Sequence, residues 1–487
     1  MKYKAVEVLM ILLLAELLLV GYAFLGSTDY VPFLKENIRF MEPSKLAQFK
    51  LADENAAADS LLQNYLSDTA SGDIIKRTQL SVIGPKKKNL FLVNPAVGNG
   101  TALDNFFRAL MEEKDSTVVR IAHYGDSQLE GDRMTCLIRD KFHQKFGGSG
   151  IGYVPCKDLE PISYTRKSSG NWSRYTVFHD RYSNSYYGIS GMVFRFGKKA
   201  VYQPDDSSSA KEGEPKFEGG SFYSGSVSVK MSPKYTYNSI SVMYGRTHDY
   251  TVMNYYDVGT GDRFASDTLP PAEVATLHKH KFSSPVLNVK IEFIADNGPD
   301  FYGLYFDANT GLQTDNYAIR GHSGDGLMLI NDDHLARMIK ELNTRLVIFQ
   351  YGANVVPYIH SDEACTWLTG VYYDLFMKFK KADPNLSILV IGAGDMAHGG
   401  EGGCSSYTWL PKITEAQKVA ALKAGCAYWD LFGMMGGLNS ILVWTNKKLA
   451  VTNGHFSAKG QEIIANELVD ALLVEYNTYL HKTRNKK

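Results

Sequence analysis

The chain has 487 residues, of which 44% are hydrophobic and 21% are charged, so it is not a mostly disordered protein and is too long for one average domain. Basic and acidic side chains number 52 each, and this zero net charge fits poorly with a general nucleic-acid-binding protein, which needs surplus positive charge. The five cysteines form no CxxC pair, and their odd number leaves at least one thiol unpaired. We expect no nucleic-acid partner and no metal site, and no motif indicates a cofactor.

The N-terminus has the pattern of an export signal. Lys2 and Lys4 precede an almost wholly apolar run over residues 8–24. This length fits both a short membrane span and a long signal-peptide core, and residues 21–23 form a small-x-small cleavage site, so residues 1–26 are read as a signal anchor or a signal peptide. Both alternatives predict an exported protein of the periplasm or cell envelope. We favour the anchor, which makes the inner membrane a partner and leaves the lysines on its cytoplasmic side.

An α/β pattern begins after a polar segment. Residues 27–96 are rich in Ala, Asp, Lys and Ser, and we interpret them as a stalk or linker with helical stretches. A helix is predicted near 102–110 and a buried strand over 117–122, followed by a turn at 125–127. The next helix has its apolar residues at the spacing of one buried face, at Met134, Leu137, Ile138 and Phe142.

Residues 161–309 follow a different pattern. Apolar residues such as Val289, Ile291 and Phe293 alternate with polar ones, and clusters of Gly, Ser, Pro and Asp separate the runs. This period of two predicts antiparallel strands that form a β-sandwich. Six aromatic residues near its start suit either a glycan-binding platform or the sandwich core and its border with the α/β domain. They are Trp172, Tyr175, Phe178, Tyr182, Tyr186 and Tyr187.

The α/β alternation returns from about residue 310. Strands are predicted over 345–350, 387–391 and 426–431, and helices near 361–381, 414–424 and 457–480. The predicted fold class is α/β: a three-layer α/β/α domain with a parallel sheet, made of 97–160 and 310–487, interrupted by the antiparallel β-sandwich and preceded by an N-terminal membrane helix.

Four residues supply the groups that acyl transfer through a serine needs. Ser127 follows a buried strand and precedes a helix, where open α/β sheets bind ligands. A serine nucleophile requires a base that takes its proton and donors that hold the oxyanion. His455, before the last helix, is the candidate base, and the backbone N–H of Gly324 and the side-chain amide of Asn354 are candidate donors. The Gly-Asp-Ser tripeptide alone is weak evidence, because Asp and Ser are also common helix N-caps.

These residues stand in four blocks whose order resembles that of the SGNH (GDSL-type) hydrolase superfamily. The blocks are Gly125-Asp126-Ser127, Ser323-Gly324-Asp325, Gly352-Ala353-Asn354 and His455. The stretches 120–155 and 315–327 look like an exported subgroup related to peptidoglycan O-acetylesterases, some of which carry a β-sandwich between the first two blocks. The resemblance implies that Ser127 is the nucleophile and His455 the general base. It also implies an oxyanion hole made by Ser127 N–H, Gly324 N–H and Asn354.

The chain departs from the family pattern at two positions. Gln128 replaces the usual Leu of the GDSL string, a change that other members tolerate. Thr452 stands three residues before His455, where the family has an Asp that orients the imidazole. Asp430 could take over that role, although the sequence favours a structural one. A Ser–His dyad assisted by a backbone carbonyl and a degenerate enzyme are the other interpretations.

The sequence predicts a serine carbohydrate esterase that removes O-acetyl groups from a glycan through an acyl-serine intermediate. Peptidoglycan ranks ahead of other polysaccharides as the substrate. One alternative is a polysaccharide O-acetyltransferase that uses the same Ser127 and His455. The other is a non-catalytic glycan-binding protein in which Thr452 records lost activity. The fold does not decide among them, because function depends on the site.

Overall fold

The computed structural model describes residues 91–197, 201–202, 222–400 and 403–485. The expected signal segment 1–26, and residues 27–90 of the expected stalk, lie outside the described residues. Within the described part, no helix combines the length and the apolar character that crossing a bilayer requires.

The described chain alternates helices and strands at both ends and contains only strands in its middle. The α-helices are α1 (Asp104–Glu112), α2 (Thr135–Phe146), α3 (Asp332–Glu341), α4 (Asp362–Ala382), α5 (Leu410–Lys423), α6 (Leu431–Met435), α7 (Ser440–Asn446) and α8 (Ala458–Arg484). The strands are β1 (Leu92–Val93), β2 (Ala96–Val97), β3 (Gly100–Thr101), β4 (Val118–Gly125), β5 (Gly152–Val154), β6 (Tyr164–Ser168), β7 (Trp172–Thr176), β8 (Met192–Phe196), β9 (Val201–Tyr202), β10 (Phe222–Met231), β11 (Tyr237–Gly245), β12 (Thr251–Asp257), β13 (Arg263–Leu269), β14 (Thr276–Val286), β15 (Asn288–Ala295), β16 (Asp300–Asp307), β17 (Gly311–Ala318), β18 (Thr344–Gln350), β19 (Ser387–Ile391), β20 (Ala397–Gly400), β21 (Gly403–Ser406) and β22 (Ala427–Trp429).

The central sheet has the strand order β1-β22-β19-β18-β4-β17. All its strand pairs are parallel except β1 with β22. Strand β4, next to the edge strand β17, is buried along its whole length, as expected for a strand covered on both faces. Ala318 at the end of β17 and Gln350 at the end of β18 both lie opposite Gly125 at the end of β4. The segments that follow these three strands therefore begin side by side at one edge of the sheet.

Helices cover both faces of this sheet. Alternate residues of β4 point to opposite faces, so Val119 and Ile121 belong to one core layer and Ala122 and Tyr124 to the other. The first layer contains residues of α1, α2 and α8, and the second contains residues of α3, α4 and α5. This arrangement is a mixed α/β fold with a three-layer α/β/α core.

Two antiparallel sheets form a sandwich between β4 and β17 in the chain. One has the order β13-β12-β15-β10-β6 with β9 beside β10, and the other has the order β14-β11-β16-β8-β7 with β5 beside β16. In β10 the apolar residues Val227, Val229 and Met231 are buried and the residues between them are not. The first strand of the sandwich, β5, starts at Gly152, so the antiparallel part begins before residue 161.

The aromatic residues at the start of the sandwich pack inside it or against the α/β domain. Trp172 is 1% exposed, and its ring centroid lies 5.3 Å from that of Phe196 and from that of Phe301. The Phe178 ring lies 5.6 Å from the His322 ring in the loop after β17. None of the six residues is exposed, and three of the half-buried ones, Tyr175, Phe178 and Tyr182, pack against the core.

A buried ion-pair cluster joins the sandwich to the central sheet. Arg120 of β4 contacts Asp307 at the end of β16, and its second guanidinium nitrogen lies 3.2 Å from Asp315 of β17. The three side chains are at most 5% exposed. Asp315 also accepts a hydrogen bond from the backbone N–H of Tyr153 in β5, at 2.9 Å. The first and last strands of the sandwich are thus fixed to adjacent strands of the sheet.

We predict that Arg120→Met lowers the free energy of unfolding by about 3–5 kcal/mol, because it leaves two carboxylates buried without their cation. The control is Lys234→Met, which removes the cation of an ion pair with Asp140 whose lysine side chain is 59% exposed. That change should alter the free energy by less than about 1 kcal/mol. Urea unfolding followed by tryptophan fluorescence measures both. Equal shifts for the two variants would contradict the structural role of Arg120.

Candidate active site

Ser127 and His455 form a hydrogen-bonded pair at the carboxyl edge of the central sheet. Ser127 lies two residues after the end of β4, and His455 lies in the loop before α8. Ser127 Oγ is 2.8 Å from His455 Nε2. Ser127 is 9% exposed, and His455 is half-buried. The nucleophile and base expected from sequence are therefore in direct contact although they stand 328 residues apart in the chain.

Asn453 holds the other nitrogen of the imidazole. His455 Nδ1 lies 2.9 Å from Asn453 Oδ1, and the backbone N–H of His455 donates to the same oxygen at 3.3 Å. An amide oxygen only accepts hydrogen bonds, so Nδ1 carries the proton and donates it. In the neutral ring Nε2 is then unprotonated and can accept the proton of Ser127 Oγ–H. This tautomer is the one that a general base at His455 requires.

The orienting residue is thus neither Thr452 nor Asp430. Thr452 contributes its backbone carbonyl to a hydrogen bond from Ala397 N–H, at 2.7 Å. Asp430 is the N-cap of α6, where its carboxylate accepts from Gly433 N–H at 2.8 Å. Asn453 was not predicted from the sequence, because the family pattern pointed to the position three residues before the histidine and the alternative considered was another carboxylate, Asp430. The available signal was an amide two residues before it in the same loop.

Gln128, the residue that replaces the usual Leu, connects the serine loop to the histidine loop. Its Nε2 donates to the carbonyl of Gly454 at 2.7 Å, and its Oε1 accepts from the backbone N–H of Phe456 at 3.4 Å. These two residues flank His455 on either side. Gln128 is 8% exposed, so its amide is shielded from water that would compete for these bonds. We name this pair of hydrogen bonds the Gln128 clasp.

Two backbone donors adjoin the serine. Among the described residues, neither Ser127 N–H nor Gly324 N–H has a hydrogen-bond acceptor. Gly324 has φ 97°, and a Cβ atom there would lie 2.9 Å from the Tyr351 ring, so only glycine fits without strain. Gly324 precedes the short 3₁₀ helix Asp325–Leu329, which starts close to the end of β17. Both N–H groups are available to a substrate oxygen.

Asn354 is held by the first and second blocks together. Its Nδ2 donates to Asp126 Oδ2 at 2.9 Å and to the carbonyl of His322 at 3.1 Å. The other carboxylate oxygen of Asp126 accepts from Gln128 N–H at 2.9 Å. Burial raises the pKa of Asp126 to about 6, although the hydrogen bond from Gln128 and the nearby Arg133 guanidinium oppose this rise. Asp126 therefore links the serine loop to Asn354, which in turn bonds the segment before Gly324.

No cluster of three or more histidine, cysteine, aspartate or glutamate side chains is arranged to hold a metal ion in the part of the chain that the structure describes. The arrangement around Ser127 is that of nucleophilic catalysis: a serine, a correctly oriented imidazole and a set of N–H donors.

The fold is similar to that of a solved peptidoglycan O-acetylesterase. That structure matches with a TM-score of 0.58 at 17% sequence identity, covering 80% of this chain and 99% of the other. An acetyl xylan esterase (TM-score 0.26, 15% identity, 33% of this chain and 81% of the other) and a family two carbohydrate esterase from Clostridium thermocellum (TM-score 0.24, 11% identity, 52% and 92%) also match, at scores that carry no argument. No protein-family description matches the sequence, and no curated protein matches it. The expected resemblance to a peptidoglycan O-acetylesterase is confirmed at the level of the fold.

We predict that Gln128→Leu slows the reaction of Ser127 with a fluorophosphonate roughly tenfold or more, because the histidine loop loses both bonds of the clasp. The control is Gln461→Leu, which removes a similarly buried amide whose Nε2 donates to the Phe456 carbonyl at 3.3 Å and which makes no contact with the serine loop among the described hydrogen bonds. Its reaction rate should change less than threefold or so, within the scatter of such measurements. The rates are followed by intact mass spectrometry. Equal slowing in both variants would reject a specific role for the clasp.

Proposed function

We propose that this protein is a serine carbohydrate esterase that removes O-acetyl groups from an exported glycan through an acyl-serine intermediate. The observation that carries the proposal is the 2.8 Å contact between Ser127 Oγ and His455 Nε2. The hydrogen bond from Nδ1 to Asn453 supports it, because this bond selects the tautomer in which Nε2 is a base. An intact nucleophile–base pair also argues against the degenerate, non-catalytic alternative.

The first half of the reaction acylates the serine. Ser127 Oγ attacks the acetyl carbonyl carbon while its proton passes to His455 Nε2. The resulting imidazolium keeps its hydrogen bond to Asn453 Oδ1. When the tetrahedral intermediate collapses, the C–O bond to the sugar breaks and the imidazolium returns the proton to the sugar oxygen. The products are a deacetylated sugar hydroxyl and acetyl-Ser127.

The N–H donors stabilise the negative oxygen of the tetrahedral intermediate. We assign this role to the backbone N–H groups of Ser127 and Gly324, which have no acceptor among the described residues. Asn354 is the third donor. Its amide donates one hydrogen to the His322 carbonyl, at 3.1 Å. The substrate oxygen competes with that carbonyl for this hydrogen. Asp126 keeps the amide in place through the other hydrogen.

The second half of the reaction hydrolyses the acetyl-serine. Water takes the place of the sugar oxygen, and His455 removes its proton as the water attacks the acetyl carbon. Acetate leaves, and Ser127 regains its proton. Because Asn453 is neutral, it stabilises the imidazolium less than a carboxylate would, which tends to lower the basicity of His455.

The substrate and location follow from two separate arguments. A solved structure with a similar fold is a peptidoglycan O-acetylesterase, so we propose an O-acetylated glycan, with peptidoglycan first. The apolar run of residues 8–24, outside the described residues, supports export and an anchor in the inner membrane.

We predict that Ser127→Ala lowers acetate release from a small acetyl ester by more than about a thousandfold, because no nucleophile remains. The control is Ser173→Ala, which changes an exposed serine of β7 and should leave the rate as it is. The assay measures acetate and, with an oligosaccharide present, any acetylated acceptor. Equal turnover by wild type and Ser127→Ala contradicts the proposal, and an acetylated acceptor that depends on Ser127 would make the enzyme a transferase.

We predict that Asn453→Asp moves the acid limb of the profile of kcat/KM against pH upward by about one unit. A carboxylate beside the imidazole stabilises its protonated form, so the base is lost at a higher pH. Thr452→Asp should move the limb less, because the Thr452 side chain makes no hydrogen bond in the described structure. A limb that stays fixed in Asn453→Asp would belong to another group, for which Asp126 with its pKa of about 6 is the candidate.

A further inference from the structure

A cavity lies beside the candidate active site, between the α/β domain and the sandwich. It contains about 490 Å³ of atom-free space, counting the part open to solvent. Glu130, three residues after Ser127, and Ala318, at the end of β17, both line it. Ala318 pairs in register with Gly125, and neighbouring strands lie about 4.8 Å apart. The cavity therefore borders the segment that follows Ser127, on the side of the edge strand β17, and none of the four candidate site residues is in its lining.

The sandwich supplies the opposite wall of this cavity. Tyr164 and Arg166 of β6, Arg174 of β7 and Met192 of β8 line it. The backbone N–H of Ile162 donates to the carbonyl of Gly131 at 2.8 Å, so the segment leading into β6 is attached to the turn that follows Ser127. A ligand in the cavity would contact both domains.

Three guanidinium groups and three carboxylates line the cavity, so the lining has no net charge, and a further guanidinium, that of Arg139, stands behind the wall. Each of the three carboxylates has a guanidinium partner. Arg320 lies 3.7 Å from Glu130, and Arg174 lies 3.4 Å from Asp158. The third carboxylate, Asp132, is bound by both terminal nitrogens of Arg139, which stands behind the wall, at 2.8 and 2.9 Å.

Arg166 is the fourth guanidinium, and it has no carboxylate partner in the described part of the chain. One of its terminal nitrogens donates to the backbone carbonyls of Asp158 and Leu159, the latter at 3.1 Å. The residue is only 4% exposed. A buried guanidinium without a counter-charge is unfavourable, and a carboxylate matches its planar donors bidentately.

We propose that this cavity binds a carboxylate group of the glycan, with Arg166 as the main contact, and that the substrate is therefore an acidic glycan. This proposal rests on the proposed esterase function in so far as the glycan is a substrate. Binding of the carboxylate does not itself require hydrolysis. Arg174, which lies 3.4 Å from Asp158, and Arg320, which lies 3.7 Å from Glu130, line the same cavity. The sandwich thereby takes part in recognition through guanidinium groups and not through an aromatic platform.

The test measures binding by the Ser127→Ala variant, which keeps the ligand intact. Isothermal titration calorimetry compares trigalacturonate, which carries carboxylates on its rings, N-acetylmuramic acid, which carries one on its lactyl ether, and neutral cellotriose. We expect at least one acidic saccharide to bind more tightly than cellotriose, and its affinity to fall with added salt. The acidic saccharide that binds identifies the source of the carboxylate. Binding of neither, or equal binding of all three, overturns the proposal.

The decisive comparison adds Arg166→Gln to this background. The dissociation constant of the acidic saccharide should rise roughly tenfold or more, as for loss of a charge-assisted bond. Arg108→Gln, which changes an arginine exposed on α1, is the matched control and should leave the constant as it is. If Arg166→Gln does not fold, Arg174→Gln is measured instead, and the dissociation constant of the acidic saccharide is again expected to rise. An unchanged dissociation constant in the folded variant overturns the proposal. The esterase function is tested separately, by measuring hydrolysis of a small ester with the Arg166→Gln enzyme that keeps Ser127.

Discussion

The Gln128 clasp is the constraint on which the candidate active site depends. Ser127 is positioned by the end of β4, the strand next to one edge of the central sheet, whereas His455 lies in a loop more than three hundred residues later. The clasp bonds the backbone on both sides of His455 to the residue next to Ser127. Removing it would leave the buried Gly454 carbonyl and the Phe456 N–H without partners, at a cost of about 1–3 kcal/mol for each group. A leucine at position 128 would fill the space but could not form these bonds.

The second constraint is the buried connection between the sandwich and the sheet. A buried ion pair does not by itself make a protein more stable, because desolvation of the charges offsets their attraction. The contacts of Arg120 with Asp307 and Asp315 do, however, require one specific arrangement of three strands from two domains. A separate hydrogen bond, from Ile162 N–H to the Gly131 carbonyl, joins the segment before β6 to the turn after Ser127. The cavity that Arg166 lines has walls from both domains.

Much of the fold could be predicted from local pattern. The largely apolar run at β4 and the alternation in β10 both predicted strands correctly. A strand buried on two faces is largely apolar throughout, whereas a strand buried on one face alternates between apolar and polar residues. The predicted strand 426–431 is shorter in the structure, Ala427–Trp429, because Asp430 begins the next helix as its cap. The start of the sandwich at β5 was not predictable, since three residues carry too little periodicity.

The candidate site was predictable only in part. Ser127 and His455 could be found because family blocks preserve their order in the chain. Asn453 and the bonding of Gln128 could not, since each depends on how one loop folds back on another. The six aromatic residues from Trp172 to Tyr187 were compatible with a glycan-binding surface in the sequence. In the folded chain all six are buried or half-buried. The unpaired charge of Arg166 is likewise visible only once the two domains are assembled.

The central claim is that Ser127 carries the acetyl group during turnover. Rapid acid quenching during hydrolysis of a small acetyl ester, followed by peptide mass spectrometry, tests it most directly. We expect the peptide that contains Ser127 to gain the mass of one acetyl group. The acetylated fraction should be larger in Asn453→Ala if that variant slows deacylation more than acylation. Steady acetate release without any acetyl on Ser127, or with the acetyl on another residue, would contradict it.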